Sequence, residues 1–267
     1  MRIYSVSRVL RGDIPLSGGT LLSTTKTTIS YPRCLCYTCI MYFRSRAEAG
    51  RMLAEKLDQY KQANTTIVAL SPGAVIIGAQ IAMQLHSALT MLLTENIVLP
   101  GENDALAAIA SNNVFTYNDK FSSGEIEEMH SEYLNVIEGQ RLEKLHKLHA
   151  LLGHGGEIHR ELLQRRTVIL VSDGLNSGLS LDLASDYLKP IRIEKLIVVT
   201  PVASIQAVDK MHLVGDEIIC LSVLENYIAT NHYYDDNTIP PTDDLLKIIT
   251  STPVHWDRSV HDDRQFL

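Results

Sequence analysis

Two rhythms of apolar positions alternate along this chain. Short apolar runs recur at Ile67–Leu70, Leu89–Leu93, Thr167–Val171, Lys195–Thr200 and Glu217–Leu221, bounded by Ser, Gly, Pro or acids. Such runs predict strands covered on both faces. Between them the spacing turns helical. Arg44–Lys61 carries Ala47, Leu53, Ala54 and Leu57 on one stripe, and Val75–His86, Leu179–Leu188 and Ala203–Met211 read as further helices. Strand alternating with helix requires right-handed crossovers and therefore a parallel α/β sheet. Pro201 is expected to end its strand.

Outside that alternation the signals differ. Ala105–Ala110 and Val114–Tyr117 read as a paired apolar segment and strand. Ser123–Leu152 is a long helix with Met129, Tyr133, Val136, Ile137, Leu142, Leu145, Leu148 and Leu152 on its apolar side. Gly153, Gly155 and Gly156 end it. Thr242–Thr250 predicts a short helix, followed by a loose tail containing His255-Trp256.

The stretch with the most chemical content is Thr167–Ser180. Its strand gives way to Ser172-Asp173, then to Gly174-Leu175-Asn176-Ser177-Gly178, then to a helix. Main-chain N–H groups at a loop leading into a helix N-terminus hold an anion. An acid just before such a loop suits sugar hydroxyls, because a carboxylate only accepts. Phosphate plus sugar diol is the ligand these residues predict. A second βα turn, Ser71-Pro72-Gly73-Ala74, belongs to the same carboxyl edge of the sheet.

Four apolar residues, Val168 to Val171, then Ser172-Asp173, Gly174 and Ser177-Gly178, resemble the phosphoribosyl-diphosphate (PRPP) loop of type I phosphoribosyltransferases. A bacterial group of that family is the nearest likeness, over roughly residues 42 to 236. It also covers the Phe43-Arg44-Ser45-Arg46-Ala47-Glu48-Ala49-Gly50 stretch, Leu99-Pro100-Gly101-Glu102-Asn103 in the flexible-hood position, and His232-Tyr233-Tyr234-Asp235. The resemblance implies a doubly wound, mostly parallel sheet flanked by helices, with a long inserted helix. It implies Asp173 as the catalytic acid on the ribose, Ser172 to Gly178 as the PRPP or phosphate site, and Ser71 to Ala74 as the pyrophosphate loop. Tyr233 or Tyr234 would stack on a base. Mg²⁺ would be required only for turnover.

The sequence departs from that pattern at three places. Ser172 replaces the first acid of the loop. Gly73 stands where the family carries an Arg after Pro. Thr94-Glu95 stands where it carries Arg-Lys, and an acid there repels phosphate by about 4 kcal/mol at 4 Å and a surface dielectric. Two functions follow. One is a phosphoribosyltransferase that binds PRPP and transfers phosphoribosyl to an unknown acceptor. The alternative is a non-catalytic sensor or interaction protein that binds a nucleoside monophosphate or sugar phosphate.

Composition trims the remainder. A net charge of −7 argues against a general nucleic-acid or membrane-surface binder. No apolar run approaches the roughly 20 residues that span a bilayer. Cys34, Cys36 and Cys39 lack a second cluster to complete a zinc site, and the Cys pattern suits a reducing cytoplasm. His146, His149, His154 and His159 follow no metal-ligand pattern and read as solvated. Residues 1–40 are expected to be a disordered extension or a stretch upstream of the true start, residues 41–238 the phosphoribosyltransferase-like domain, and 239–267 a helix and tail. A homodimer remains an open assembly state.

Overall fold

The computed structural model describes residues 41–101, 105–111, 113–152 and 160–252. The expectations for Cys34, Cys36, Cys39, Glu102, Asn103, Gly153 to Gly156, His154, His159 and His255-Trp256 lie outside these residues.

The first unit runs α1 (Arg46–Lys56), β1 (Thr65–Ala69), α2 (Pro72–Leu85) and β2 (Ala88–Met91). An inserted unit follows, with β3 (Thr94–Ile97), β4 (Ala107–Ala110), β5 (Phe115–Tyr117) and the long α3 (Ser123–Leu152). The chain then continues through β6 (Thr167–Val171), α4 (Leu179–Leu188), β7 (Lys195–Ser204), α5 (Ile205–Val214), β8 (Glu217–Leu224) and α6 (Thr242–Ser251). A 3₁₀ turn at Thr230–Tyr233 lies between β8 and α6.

Five strands form one parallel sheet in the order β2-β1-β6-β7-β8, and β3-β4-β5 form a separate antiparallel sheet. Strand β6 lies at the centre, with Ile169 opposite Ile67 on one side and Ile197 on the other. Its residues alternate between two cores. Val168 and Leu170 join the core beneath α4 and α5, while Ile169 and Val171 join the core beneath α1, α2 and α6. That explains the unbroken apolar run: β6 has no polar face to spare.

Strand order reverses between β1 and β6, since β1 leads by α2 to one edge and β6 leads by α4 to the other. In a doubly wound sheet the loops part at such a switch point and leave a crevice beyond the strand ends. The two loops there are 71–74 and 172–178. Backbone bonds from Phe43 N to Tyr233 O and from Asp235 N to Phe43 O also tie the entry to α1 to the segment after β8, beside the crevice.

One strand boundary departs from expectation. Pro201 does not end β7, which continues to Ser204 and keeps pairing with β8, Thr200 opposite Cys220 and Val202 opposite Ser222. Strand β6 has already ended at Val171, so Pro201 flanks β8 alone and its missing N–H interrupts little. The long helix α3 bends at Tyr133, whose φ of −111° and ψ of 21° are not helical. Within it Ile137 and Leu148 are buried, whereas Leu142 is exposed despite its place on the apolar side. Among the described residues no helix is long and apolar enough to cross a membrane.

Candidate functional site

Each wall of the crevice is set by a helix cap. Ser45 Oγ accepts from Glu48 N at 3.3 Å and Glu48 Oε2 accepts from Arg44 N at 2.7 Å, a capping pair that starts α1. Arg46 is therefore the first helical residue, and its side chain turns inward to 2% exposure. Ser71 caps α2 by accepting from Ala74 N at 3.0 Å, with Pro72 placed where a helix needs no N–H.

These caps converge on Asp173. Its Oδ1 accepts from Ser71 Oγ at 2.6 Å, and its Oδ2 accepts from Arg46 Nε at 2.9 Å. Arg46 Nη2 donates to Asn231 Oδ1 at 2.7 Å, and its guanidinium carbon lies 4.6 Å from the centre of the Tyr234 ring. Tyr234 Oη donates to the main-chain oxygen of Asp173 at 2.6 Å. Arg46 Nη1 is buried with no hydrogen-bond partner among the described residues. Gly73 makes this convergence sterically possible. A Cβ there would overlap Asp173 Oδ2 and lie 2.5 Å from Arg46 Nε.

Beyond Asp173 the loop stays on the sheet before it turns. Ser172 Oγ donates to Gly174 O at 3.0 Å, and Leu175 N donates to Val202 O at 3.0 Å. Leu175 is buried, and half-buried Gly174 packs against Tyr227 and Thr230. Asn176 is exposed and Ser177 half-buried. The main-chain N–H groups of Asn176, Ser177 and Gly178 find no acceptor among the described residues. Gly178 adopts φ +80°, a left-handed conformation that costs other residues about 1–2 kcal/mol, and it precedes the first turn of α4. Lys210 of α5 packs over Gly178 and pairs with Asp182 at 2.9 Å and Asp119 at 2.5 Å.

Electrostatics at the rim follow from these contacts. Burial pushes Tyr227 up to about 12, with the nearby Asp173 charge adding to it, and burial likewise raises Tyr234. Both phenols are therefore neutral at ordinary pH. Burial also raises Asp182, which Lys210 only partly offsets. Burial pulls Lys210 down, but its hydrogen bonds to Asp119 and Asp182 outweigh that and leave the ammonium above its usual value.

Two site expectations need correction. Stacking on a base requires an exposed ring face, yet Tyr233 and Tyr234 are 1% and 3% exposed. Tyr233 packs among Phe43, Ala49 and Leu224, and Tyr234 lies beneath Arg46. The tyrosines serve the frame because the strand-like entry at Phe43 pairs with them. The second concerns Glu95 as an acid that repels a phosphate. Glu95 lies in β3 and pairs with Lys147 of α3, so its charge is offset. A cavity of about 140 Å³ lies beside that pair, lined by Ser71, Pro72, Thr94, Leu148 and Thr242 among others. It adjoins the 71–74 turn without reaching Asp173.

Arg46 and Asn231 were not among the expected site residues. Arg46 belonged to a recognised stretch, but nothing in its neighbours placed it against Asp173, 127 positions away. The usable signals were a basic residue directly after a capping serine and a glycine at position 73.

Residues 42–236 match the sequence model of the phosphoribosyl transferase domain. Two relatives from Mycobacterium tuberculosis, strains CDC 1551 / Oshkosh and ATCC 25618 / H37Rv, are provisionally named phosphoribosyl transferases. Each is 23% identical over 208 residues, which is 78% of this chain. The chain spans about half the length of these curated relatives, 46% of each. Among solved structures, TT1426 from Thermus thermophilus superposes with a TM-score of 0.60 at 23% identity, covering 79% of this chain and 99% of that one. This likeness shows a shared fold.

Proposed function

Because the chain belongs to the phosphoribosyl transferase domain family, we propose that its switch-point crevice binds a 5-phosphorylated ribose and transfers it from PRPP to an acceptor. The observation that carries this reading is the 176–178 main-chain segment. Its N–H groups, which have no acceptor among the described residues, lie between Asp173 and the N-terminus of α4 in the chain. Amides and a helix N-terminus favour a phosphate dianion. The carboxylate of Asp173, which accepts from Arg46 and Ser71 here, is the acceptor for a ribose diol. Ser177 adds a hydroxyl, and Ser172 braces the loop through Gly174.

In transfer, the bond from C1 of the ribose to the diphosphate oxygen breaks and its electron pair leaves with the diphosphate. The acceptor then bonds to C1 and sheds its proton. Charge on the departing diphosphate must be offset for this step to be fast. Asp173 is the carboxylate at the crevice, and among the described residues no group of three His, Cys, Asp or Glu side chains could hold a metal. Mg²⁺ would arrive bound to the diphosphate, the usual habit of an ion that keeps its waters. It would supply charge neutralisation there.

Isothermal titration with ribose 5-phosphate, nucleoside monophosphates and PRPP, each with and without Mg²⁺, tests the proposal. Expected are binding of ribose 5-phosphate and Mg²⁺-dependent binding of PRPP, with pyrophosphate release when an acceptor is supplied. Monophosphate binding indifferent to Mg²⁺, without PRPP binding, selects the non-catalytic sensor. No binding of any phosphorylated ribose at millimolar concentration removes both.

A further inference from the structure

Arg46 is an unusual cation. It is 2% exposed, and two of its three nitrogens are engaged, Nε with Asp173 and Nη2 with Asn231. Nη1 is buried and unpartnered among the described residues. A guanidinium carries five N–H donors and loses their hydration when buried, so an unengaged nitrogen in a fixed position can take a further acceptor. The group also lies against the first turn of α2, where a Cβ on Gly73 would be 2.5 Å from Nε. That turn has its Ala74 N–H capped by Ser71 and Pro72 at its first position. It gives a 14-residue helix a positive end beside Arg46 Nε.

Asp173 shows the complementary condition. One oxygen is held by Arg46 and the other by Ser71. The acid best placed for a ribose diol is thus tied to the cation best placed for a phosphoryl oxygen.

We infer that the Arg46–Asp173 pair is an exchange latch. A phosphoryl oxygen arriving at the start of α2 takes over Arg46, whose Nε lies against Gly73, and this releases Asp173 to accept from the ribose diol. Arg46 acts as a positioning residue: it couples occupation of the anion end of the crevice to availability of the diol acceptor at the other. The inference rests on the proposed sugar-phosphate reading for its second half, whereas its first half concerns an inorganic anion alone.

The test uses the full chain and inorganic pyrophosphate as the anion probe. Asp173→Asn keeps the side-chain shape and removes the charge that competes for Arg46. Pyrophosphate is expected to bind the variant about tenfold more tightly than the wild type, the scale of one charged hydrogen bond. The preference for ribose 5-phosphate over 2-deoxyribose 5-phosphate, present in the wild type, should fall to about one. Adding Arg46→Lys to that variant should abolish the pyrophosphate gain, because an ammonium lacks the planar fork. Unchanged or weaker pyrophosphate binding in Asp173→Asn overturns the latch and makes the pair purely structural. Should that variant fail to fold, the Arg46 Nε–H resonance of the ¹⁵N-labelled wild type decides the matter. Movement on adding pyrophosphate supports exchange, and a fixed resonance overturns it. If wild type binds no phosphorylated ribose while Asp173→Asn still gains pyrophosphate affinity, the sugar-phosphate reading fails and the anion half of the latch stands.

Discussion

Arg46 Nε meets Asp173 Oδ2 at 2.9 Å, joining residues 127 apart in sequence through a contact almost sealed from solvent. Separated in this way, neither charge has water to fall back on. Arg46→Met is therefore expected to leave an uncompensated buried carboxylate and cost about 3–5 kcal/mol. Urea unfolding monitored by circular dichroism measures it. A loss below about 1 kcal/mol, the scale of an exposed pair, would mean that water already reaches the two groups.

Gly73 is expected to tolerate no side chain while that pair is intact. The added methyl of Gly73→Ala would overlap Asp173 Oδ2, and overpacking of this kind costs about 1–3 kcal/mol. In an Arg46→Ala/Asp173→Ala background the two obstructing groups are gone, so the same substitution should become nearly neutral. The comparison of the two backgrounds reads the coupling directly.

Gly178→Ala tests the turn into α4. Its φ of +80° adds about 1–2 kcal/mol of backbone strain, and Lys210 must also give way, since its side chain would lie 2.9 Å from the new Cβ. Affinity for ribose 5-phosphate should fall with stability, because the N–H groups of 176–178 are held in place by that turn. Titration of the folded variant separates the two effects.

Far from the crevice, Glu217 provides a pH readout. Burial raises its carboxyl, but hydrogen bonds from Lys195 and Tyr60, with the Lys195 charge, outweigh burial and leave it below its ordinary value of 4.5. A folded value below the unfolded one means stability that is complete above the unfolded value and lost as pH falls through the folded one. Glu217→Gln should therefore cost roughly 0.5–1 kcal/mol at neutral pH, a figure reduced for solvent screening of this part-exposed pair. Its deficit relative to wild type should shrink as pH drops below 4.5. Thermal melts across that range show whether the two curves converge.

The sequence by itself determined the layered fold and the place of the 172–178 loop between strand and helix. Local patterns suffice there: a short, β-branched apolar run such as Val168–Val171 that stops at Ser172-Asp173 reads as a strand covered on both faces, and Ser177-Gly178 before Leu179 reads as a turn into a helix. Family residues at 43–50 and 232–235 were equally visible, though their meeting was not. Chain order gives neither the distance between Phe43 and Tyr234 nor the depth to which Tyr233 sinks. Tertiary structure alone decided that the tyrosines would be walls, that Glu95 would find Lys147, and that Pro201 would lie where β6 had ended. It also decided which charges meet in the crevice. Gly73 reads in sequence as a lost arginine, yet in the fold its missing side chain is the space in which Arg46 from another helix reaches Asp173. Long-range pairing of charges depends on packing that no local spacing encodes, because it is settled only when separate caps bring their helices to one point.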